Sequence, residues 1–251
     1  MNASENRLRL DELLVQRGLF ASRSRAADAI KRGTVTVEGE PARKPGQGVA
    51  SGAQIAVSDP ALHYVSRAAL KLVAGLDAFG FDPTDATALD VGASTGGFTQ
   101  VLLERGARRI FAIDVGHGQL ADLIRNDPRV TAREGLNARD LTLADLENQP
   151  PDFIVSDVSF ISLKLALPPA LALASPGARC VFLVKPQFEA GRDAIGKGGL
   201  LKNASDGPRI AEELWRWLDG VSGWRSVGLT ASPLEGGDGN REYLLGGIKD
   251  K

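Results

Sequence analysis

The sequence contains very few side chains that form disulfides or bind transition metals. Its 251 residues include one cysteine, Cys180, and two histidines, His63 and His117. A single cysteine excludes an internal disulfide and is typical of proteins from a reducing compartment. Zinc sites need clusters of cysteine and histidine, so we predict that the protein holds no metal. Because Cys180 lies within an apolar run, we interpret it as a core residue rather than a nucleophile.

Long apolar runs are also absent. Nowhere do about 18 apolar residues follow one another, as a membrane-spanning helix would require. Residues 1–10 are mostly polar and charged, whereas a signal peptide needs an apolar stretch. The hydrophobic fraction of 43% and the charged fraction of 24% are those of a globular protein. We therefore expect a cytoplasmic monomer with no membrane partner.

The chain has no large excess of one charge, since its net charge is only −1. The distribution is uneven, however, because residues 17–44 hold seven basic against three acidic side chains. Averaging over the whole chain conceals this basic patch. Such a patch is typical of nucleic-acid binding, and a solvated helix surface is the simpler alternative.

Local patterns in the first sixty residues predict a small α+β module. Leucines with helical spacing between residues 8 and 14 predict a first helix, which Gly18 would end. Ser22 is a candidate N-cap for a second helix over residues 23–32. The alanines of this helix would pack on the first and leave four basic residues outward, namely Arg23, Arg25, Lys31 and Arg32. Two short alternating strands follow, at residues 34–37 and 54–57.

After residue 80 the sequence alternates between apolar strands and helices, and a helix capped at Ser66 precedes this region. The alternation predicts an α/β fold with a Rossmann-like, mostly parallel sheet that helices cover on both faces. The predicted strands cover residues 86–91, 109–113, 129–132, 152–156, 179–184, 224–230 and 243–246. Predicted helices between them include residues 98–105, 119–125 and 208–218.

The change of pattern predicts two domains. Pro60 breaks regular structure between the small module and the alternating region. We therefore place an N-terminal domain at residues 1–59, a linker at 60–65 and a second domain at 66–251.

A glycine-rich turn follows the first strand of the second domain, in the sequence Asp90-Val-Gly-Ala-Ser-Thr-Gly-Gly-Phe98. Glycines there allow the backbone to approach a ligand at the carboxyl end of the sheet. A dinucleotide site would need Gly-x-Gly-x-x-Gly, and the Asp90 carboxylate would oppose its pyrophosphate. That carboxylate suits the cationic amino acid part of S-adenosylmethionine instead. Asp114 ends the second strand, where it can accept hydrogen bonds from both ribose hydroxyls.

Four charged residues stand at positions that catalysis could use. Lys71 interrupts an apolar helix stripe, and Glu242 begins the last strand. Asp157 and Lys185 end the fourth and fifth strands, which flank the cofactor crevice in a doubly wound sheet. Each residue alone has a simpler explanation, such as a lysine that reaches solvent from a buried stem.

Motifs in both domains resemble known families. Arg9-Leu-Asp-x-x-Leu13, Ser22–Ala26 and Ile30-x-x-Gly-x-Val-x-Val-x-Gly39 resemble the small RNA-binding domain of the ribosomal protein S4 type. Ser66-Arg-Ala-Ala-Leu-Lys71-Leu, together with the other three charged residues, resembles the Lys-Asp-Lys-Glu tetrad of the FtsJ-like ribose 2′-O-methyltransferases. With Lys185-Pro-Gln-Phe-Glu189 added, the chain resembles the TlyA family, whose members were first named haemolysins.

The resemblance implies an S-adenosylmethionine-dependent enzyme that methylates the ribose 2′-hydroxyl of a cytidine in ribosomal RNA, with an antiparallel last strand in its sheet. Relatives modify the large subunit and longer-tailed ones also the small subunit, so the short termini favour large-subunit RNA. Lys185 would act on the hydroxyl as a base, which requires a lowered pKa. Lys71, Asp157 and Glu242 would tune and orient it.

The resemblance and the turn together indicate two sets of binding residues. The cofactor set comprises Asp90, Gly92, Ser94, Gly96, Gly97, Phe98, Asp114, Asn137 and Asp157. The RNA set comprises Arg9, Arg23, Arg25, Lys31 and Arg32. FtsJ-like enzymes often have an aspartate in place of Asn137 and a proline in place of Thr95.

Two functions from other classes stay open. An RNA-binding or assembly protein could hold the cofactor without turnover, although the intact tetrad argues against this. A membrane-lysing protein would match the older family name, but the sequence has neither a membrane span nor a conspicuous basic amphipathic helix.

Overall fold

The structure of the protein is a computed structural model that describes residues 7–237 and 239–250. The first six residues of the predicted N-terminal domain, whose polar character argued against a signal peptide, lie outside the described residues. The chain divides into two compact units, residues 1–63 and residues 64–251. Within the described ranges, no helix combines the length and the apolar character needed to cross a membrane.

The described part of unit one, residues 7–63, contains two helices and five short strands. Its elements are β1 (Arg7–Arg9), α1 (Leu10–Gln16), α2 (Arg23–Lys31), β2 (Val35–Val37), β3 (Glu40–Pro41), β4 (Gly48–Ala50) and β5 (Ile55–Val57). Strands β1 and β4 pair antiparallel, and β2 lies between β3 and β5 in a second antiparallel sheet. The predicted cap of α2 is confirmed, because the Ser22 hydroxyl accepts a hydrogen bond from the Arg25 amide at 3.3 Å.

The outward placement expected of the α2 arginines is wrong for Arg32. The Arg32 side chain is only 16% exposed. Its guanidinium donates two hydrogen bonds of 2.7 Å to Asp59 and one of 2.8 Å to Asp28. Burial alone would raise the pKa of Asp59, but the hydrogen bonds from Arg32 hold it below its ordinary value. Arg32 therefore joins the end of α2 to the segment that follows β5.

Unit two is built on a seven-stranded sheet. Its strands are β6 (Thr87–Val91), β7 (Arg109–Asp114), β8 (Val130–Glu134), β9 (Phe153–Ser156), β10 (Arg179–Val184), β11 (Trp224–Ala231) and β12 (Tyr243–Lys249). Its helices are α3 (Ala69–Phe79), α4 (Gly97–Glu104), α5 (Asp122–Arg125), α6 (Leu163–Ala166), α7 (Pro168–Leu173), α8 (Pro186–Glu189) and α9 (Asp206–Asp219). Four short 3₁₀ helices join them, at Ala138–Asp140, Leu143–Leu146, Arg192–Ala194 and Lys197–Gly199.

The strand order across the sheet is β11-β12-β10-β9-β6-β7-β8. Strands β8, β7, β6, β9 and β10 pair parallel, whereas β12 pairs antiparallel with both β10 and β11. The expected Rossmann-like sheet with an antiparallel last strand is therefore confirmed. The chain leaves β6 towards β7 and β8 and then returns to β9 on the other side of β6. Such a reversal opens a crevice at the carboxyl ends of β6 and β9.

In unit two, helices α3 and α5 begin later than predicted. Helix α3 begins at Ala69 rather than directly after Ser66, because Ser66 first forms a turn in which its hydroxyl accepts from the Ala68 amide. Helix α5 begins at Asp122 rather than at residue 119. The amides of Gly118 to Leu120 donate to the Glu134 carboxylate, so they are not available to open a helix earlier.

The ring of Phe79, the last residue of α3, packs against two glycines of the sheet. Gly228 of β11 and Gly246 of β12 are opposite each other in the register. A Cβ atom would lie 2.4 Å from the Phe79 ring at Gly228 and 2.6 Å from it at Gly246. Only glycine leaves room for the ring, so this contact fixes α3 against β11 and β12.

We predict that Gly246→Ala lowers the free energy of unfolding by about 1–3 kcal/mol, because the added methyl group overpacks the site of the Phe79 ring. Urea unfolding of the full chain measures the change. Gly52→Ala is the matched control, since a Cβ there meets nothing within 4 Å. Equal stability of Gly246→Ala and wild type would mean that the ring moves aside without cost.

Candidate active site

The glycine-rich turn begins where β6 ends and meets the segment after β9. Gly92 has a φ of 84°, in the left-handed region that favours glycine. A Cβ on Gly92 would lie 2.9 Å from the Val158 side chain and 3.1 Å from its backbone nitrogen. Glycine is therefore required twice at this position, for its backbone conformation and for the close approach of the two strand ends.

Asp114 holds the same turn from the end of β7. One of its carboxylate oxygens accepts from the Ser94 amide at 2.8 Å, and the other accepts from the Gly116 amide at 2.7 Å. Ser94 has a φ of 47°, and its hydroxyl donates to Gln119 at 3.2 Å. Asp114 thus anchors two loops and still faces the space between them.

A cavity of about 540 Å³ opens at the carboxyl ends of β6, β7 and β9. Five of the predicted cofactor residues line it, namely Gly92, Ser94, Asp114, Asn137 and Asp157. The Asn137 side chain accepts from the Arg139 amide at 3.1 Å, which fixes its carbonyl oxygen in the loop. Further walls come from Val115, Gln119, Leu136, Val158, Ser159, Phe160 and Ile161.

Four predicted cofactor residues do not line this cavity, namely Asp90, Gly96, Gly97 and Phe98. Phe98 is buried in the core that α3 and α4 form with the sheet, which corrects its expected place on the cavity wall. A Cβ on Gly96 would meet Leu120 and Ile124, and one on Gly97 would meet Ser66. These glycines therefore let α4 pack closely on its neighbours.

Asp90 lies beneath the turn and is completely buried. One carboxylate oxygen accepts from the Thr99 hydroxyl at 2.7 Å, and the other has no hydrogen-bond partner among the described residues. Burial, with a smaller contribution from the charge of Asp157, raises the pKa of Asp90 to about 7 despite the hydrogen bond from Thr99. The unpartnered oxygen would gain from a cation placed at the turn.

The four charged residues form two ion pairs. Lys71 of α3 donates a short hydrogen bond to Glu242, which precedes β12, and both side chains are buried. Lys185, which follows β10, lies 2.7 Å from Asp157, which follows β9. The sequence did not predict this pairing, because the residues of each pair are far apart along the chain.

The two pairs act on each other electrostatically. Burial raises the pKa of Glu242 above its ordinary value. Lys71 opposes this most strongly, Lys185 opposes it less, and Asp157 adds to it. Glu242 therefore responds to all three other members, as expected for one cluster of two cations and two anions.

Ser159 and Phe160 belong to this region but were missed by the sequence reasoning. The Lys185 ammonium donates to the Ser159 hydroxyl at 2.7 Å. Phe160 is 90% exposed, has a φ of 66° and lies with its ring 5.0 Å from that of Phe188. An aromatic residue four positions beyond an apolar strand end was the available signal, but its exposure could not be read from the sequence.

Glu189 ends the Lys185–Glu189 motif, and its carboxylate holds the loop that leads to α6. Its carboxylate accepts from the Ser162 hydroxyl at 2.5 Å and from the Leu163 amide at 2.8 Å. Helix α8 therefore holds the far end of the segment that begins at Asp157. Lys185, at the start of α8, holds the near end.

Most of the predicted RNA-binding residues in unit one have protein partners. Arg9 and Arg23 bind the carboxylate of Asp11, and Arg25 donates to the carbonyl oxygens of residues 61 and 62. Lys31 is exposed. Arg32 is the buried partner of Asp59, as described above.

Comparison with known families matches both units of the chain. Residues 64–249 match the FtsJ-like methyltransferase family, and residues 8–55 match the S4 domain. The first match covers well over half of the chain.

Individual relatives cover nearly all of the sequence. The 16S/23S rRNA (cytidine-2′-O)-methyltransferase TlyA of Mycobacterium tuberculosis is 47% identical over 95% of this chain and 89% of its own length. The 23S rRNA (cytidine-2′-O)-methyltransferase TlyA of Campylobacter jejuni is 36% identical over 74% of this chain and 72% of its own. A solved structure from Streptococcus thermophilus, titled as a hemolysin, is 38% identical and superposes with a TM-score of 0.75 over 98% of this chain and 90% of that one.

We predict that Asp90→Asn stabilises the protein at pH 8 in the absence of cofactor. Because the pKa of Asp90 is higher when folded than when unfolded, the stability that its neutral form provides is complete below pH about 4. That stability is lost as the pH rises through about 7. Asparagine cannot ionise, so the gain should be about 4 kcal/mol at pH 8 and close to zero at pH 4.

Urea unfolding at both pH values measures this difference. The same substitution at the exposed Asp140 is the control and should change stability equally little at both. A pH-independent effect of Asp90→Asn would contradict the buried, largely neutral state of this carboxyl group.

Proposed function

The chain belongs to the FtsJ-like methyltransferase family, and we propose from this membership and its tetrad that it methylates the ribose 2′-hydroxyl of a ribosomal RNA nucleotide. Two ion pairs carry the proposal, Lys71–Glu242 and Lys185–Asp157, and Asp157 lines the strand-end cavity. The methyl donor is S-adenosylmethionine, whose sulfonium supplies an electrophilic methyl group.

The residues of the turn fit this donor. The amino acid part carries an ammonium group, and near the turn the buried Asp90 has a carboxylate oxygen that no described residue hydrogen-bonds. Asp114 faces the cavity and can accept hydrogen bonds from ribose hydroxyls, because each carboxylate oxygen can accept more than one. Asn137 and the apolar Val115 and Leu136 line the wall beside them, where an adenine ring would lie. A side chain in place of Gly92 would clash with Val158.

Lys185 is the residue that acts on the acceptor. A ribose hydroxyl is a poor nucleophile until its proton is removed or strongly hydrogen-bonded. The Lys185 nitrogen is held by Asp157 and Ser159 at the edge of the cavity, where a hydroxyl can approach it. Alignment of the hydroxyl with the methyl group contributes in addition to proton transfer.

The other three charged residues position Lys185 and set its electrostatic surroundings. Asp157 fixes the direction of the ammonium group. Lys71 adds a second cation to the cluster, and its ion pair with Glu242 compensates for the burial of both charges.

Phe160 is suited to hold the base of the target nucleotide. Its ring is exposed on the rim of the cavity, and Phe188 supports it from the side. A nucleotide must leave its stack for its ribose to reach a strand-end crevice, and an exposed aromatic ring compensates for the stacking that is lost.

The N-terminal S4 domain supports ribosomal RNA as the substrate class. S4-type surfaces would contact phosphates and so position the RNA without reading its sequence. The M. tuberculosis and C. jejuni relatives are both named for cytidine methylation, and both names include 23S rRNA. We propose a cytidine of large-subunit RNA as the target here. A haemolytic activity, as in the name of the S. thermophilus structure, has no structural support in the described residues.

We predict that Lys185→Ala lowers kcat for methyl transfer to ribosomal RNA by about 10²- to 10⁴-fold, as expected for loss of a general base. Transfer of a radiolabelled methyl group to ribosomal subunits from cells lacking the protein measures it. The dissociation constant of S-adenosylmethionine, measured by calorimetry, should stay within a few-fold of wild type.

Lys202→Ala is the control, because Lys202 is an exposed lysine of the same domain. Unchanged kcat in Lys185→Ala would remove this mechanism. Wild-type protein that binds S-adenosylmethionine but transfers no methyl group to ribosomes would favour the non-catalytic assembly role.

Phe160→Ala should raise KM for RNA by about 5- to 150-fold, because stacking on one base is worth about 1–3 kcal/mol. Phe160→Trp keeps an aromatic surface and should retain most of the affinity. Steady-state kinetics with ribosomal subunits measures both variants. An equal loss in the two would mean that the phenyl ring serves the fold rather than the nucleotide.

A further inference from the structure

Asp11 is a buried carboxylate within the basic surface of unit one. It lies in the first turn of α1 and is only 4% exposed. One oxygen accepts from the Arg9 Nε at 3.1 Å. The other accepts from an Nη2 of Arg9 at 3.0 Å and from an Nη2 of Arg23 at 3.2 Å. A single carboxylate therefore holds two arginines.

Asp11 binds one side of each of the two guanidinium groups, and the rest of each group is accessible to solvent. Their side chains are 49% and 53% exposed, in contrast to the nearly buried Arg32. A guanidinium has five N–H donors, and Asp11 uses two from Arg9 and one from Arg23. Apart from the Arg23 Nη1, which lies 2.9 Å from Glu12, the remaining donors can reach an anion from solvent.

The backbone around Asp11 fixes the direction of this pair. The Asp11 amide donates to the Pro45 carbonyl at 3.0 Å, which holds the loop before β4 against the start of α1. In that loop Gly46 packs against Arg9, since a Cβ there would lie 2.7 Å from the Arg9 Nη1. Glu12 lies 2.9 Å from Arg23 and supports it from a more exposed position.

We propose that Asp11 is a positioning residue that pre-orders Arg9 and Arg23 as a pair of phosphate-binding groups for RNA. This inference rests on the proposed RNA substrate. A free arginine loses side-chain freedom when it binds a phosphate, and this loss opposes binding. Where Asp11 has already ordered the guanidinium, the side-chain freedom is lost on folding. The phosphate then binds a guanidinium that is already oriented.

The direction of the change in RNA affinity on Asp11→Asn distinguishes pre-ordering of the arginines from a simple effect of charge. Asp11 is an anion beneath a surface that binds a polyanion, so Coulomb repulsion alone would make Asp11→Asn bind RNA more tightly. Pre-ordering requires the opposite result. The two arginines hold the pKa of Asp11 below its ordinary value, so the carboxylate is ionised at neutral pH.

The test is the affinity of the full-length protein for purified large ribosomal subunits at one fixed salt concentration. Asp11→Asn should raise Kd by about 2- to 10-fold, as expected for restoring the freedom of one or two arginines. Glu40→Gln is the matched control, because Glu40 is an exposed carboxylate of the same unit. Its removal should leave Kd unchanged or lower it. A Kd for Asp11→Asn equal to or below that of wild type would overturn the proposal.

Asp11→Glu provides a second variant that keeps the charge and moves the carboxylate by one methylene. Pre-ordering predicts weaker binding, and charge alone predicts no change. Thermal unfolding identifies a variant that has lost its fold. If one of the two Asp11 variants has lost its fold, the other is used in a double-mutant cycle with Arg9→Lys. Lysine keeps the positive charge but lacks the planar guanidinium. Arg9→Lys should weaken binding of the wild type more than it does in a folded Asp11 variant, and equal losses would contradict the coupling.

Failure of the inference and failure of the proposed function give different results. If Arg9→Ala with Arg23→Ala binds ribosomal subunits as tightly as wild type, these arginines do not contact RNA and the pre-ordering proposal is overturned. Methyl transfer by the wild-type protein would be unaffected by that outcome.

Discussion

The buried ion pair between Lys71 and Glu242 is the contact on which the arrangement of the catalytic domain depends. It joins α3 to the start of the antiparallel strand β12. Buried ion pairs add little net stability, because desolvation offsets most of the attraction between the charges. The pair is explained better by the position that it fixes. The seat of Phe79 on Gly228 and Gly246 holds the same helix against the same strand from its other end.

The second ion pair is placed by the parallel part of the sheet. Strands β9 and β10 are adjacent and parallel, so Asp157 and Lys185 follow them at the same edge. The segment from Asp157 also meets the glycine-rich turn through Val158 and Gly92. The cavity and the Lys185–Asp157 ion pair therefore share one short segment. Lys185 holds that segment at its start, and Glu189 holds it at its end.

The arginines of unit one show how nearby carboxylates assign different roles to one residue type. Asp59 is almost buried and takes both ends of the Arg32 guanidinium, which leaves that side chain little access to solvent. Asp11 is equally buried but binds Arg9 and Arg23 from beneath, and they stay half exposed. Counting basic residues along the sequence treats all three alike. The position of the carboxylate relative to the surface separates a buried arginine from one that can reach a ligand in solvent.

The sequence by itself determined the secondary-structure elements and the types of side chain at the candidate site. Apolar strands that alternate with helices predicted the sheet, and β10 was predicted to the residue at Arg179–Val184. The turn at Gly92 and the tetrad residues were identified because local spacing and motif are properties of the chain alone. Tertiary structure decided which tetrad residues pair, placed Phe98 in the core, buried Arg32 and exposed Phe160. These outcomes depend on contacts between residues distant in sequence, whose partners no local pattern specifies.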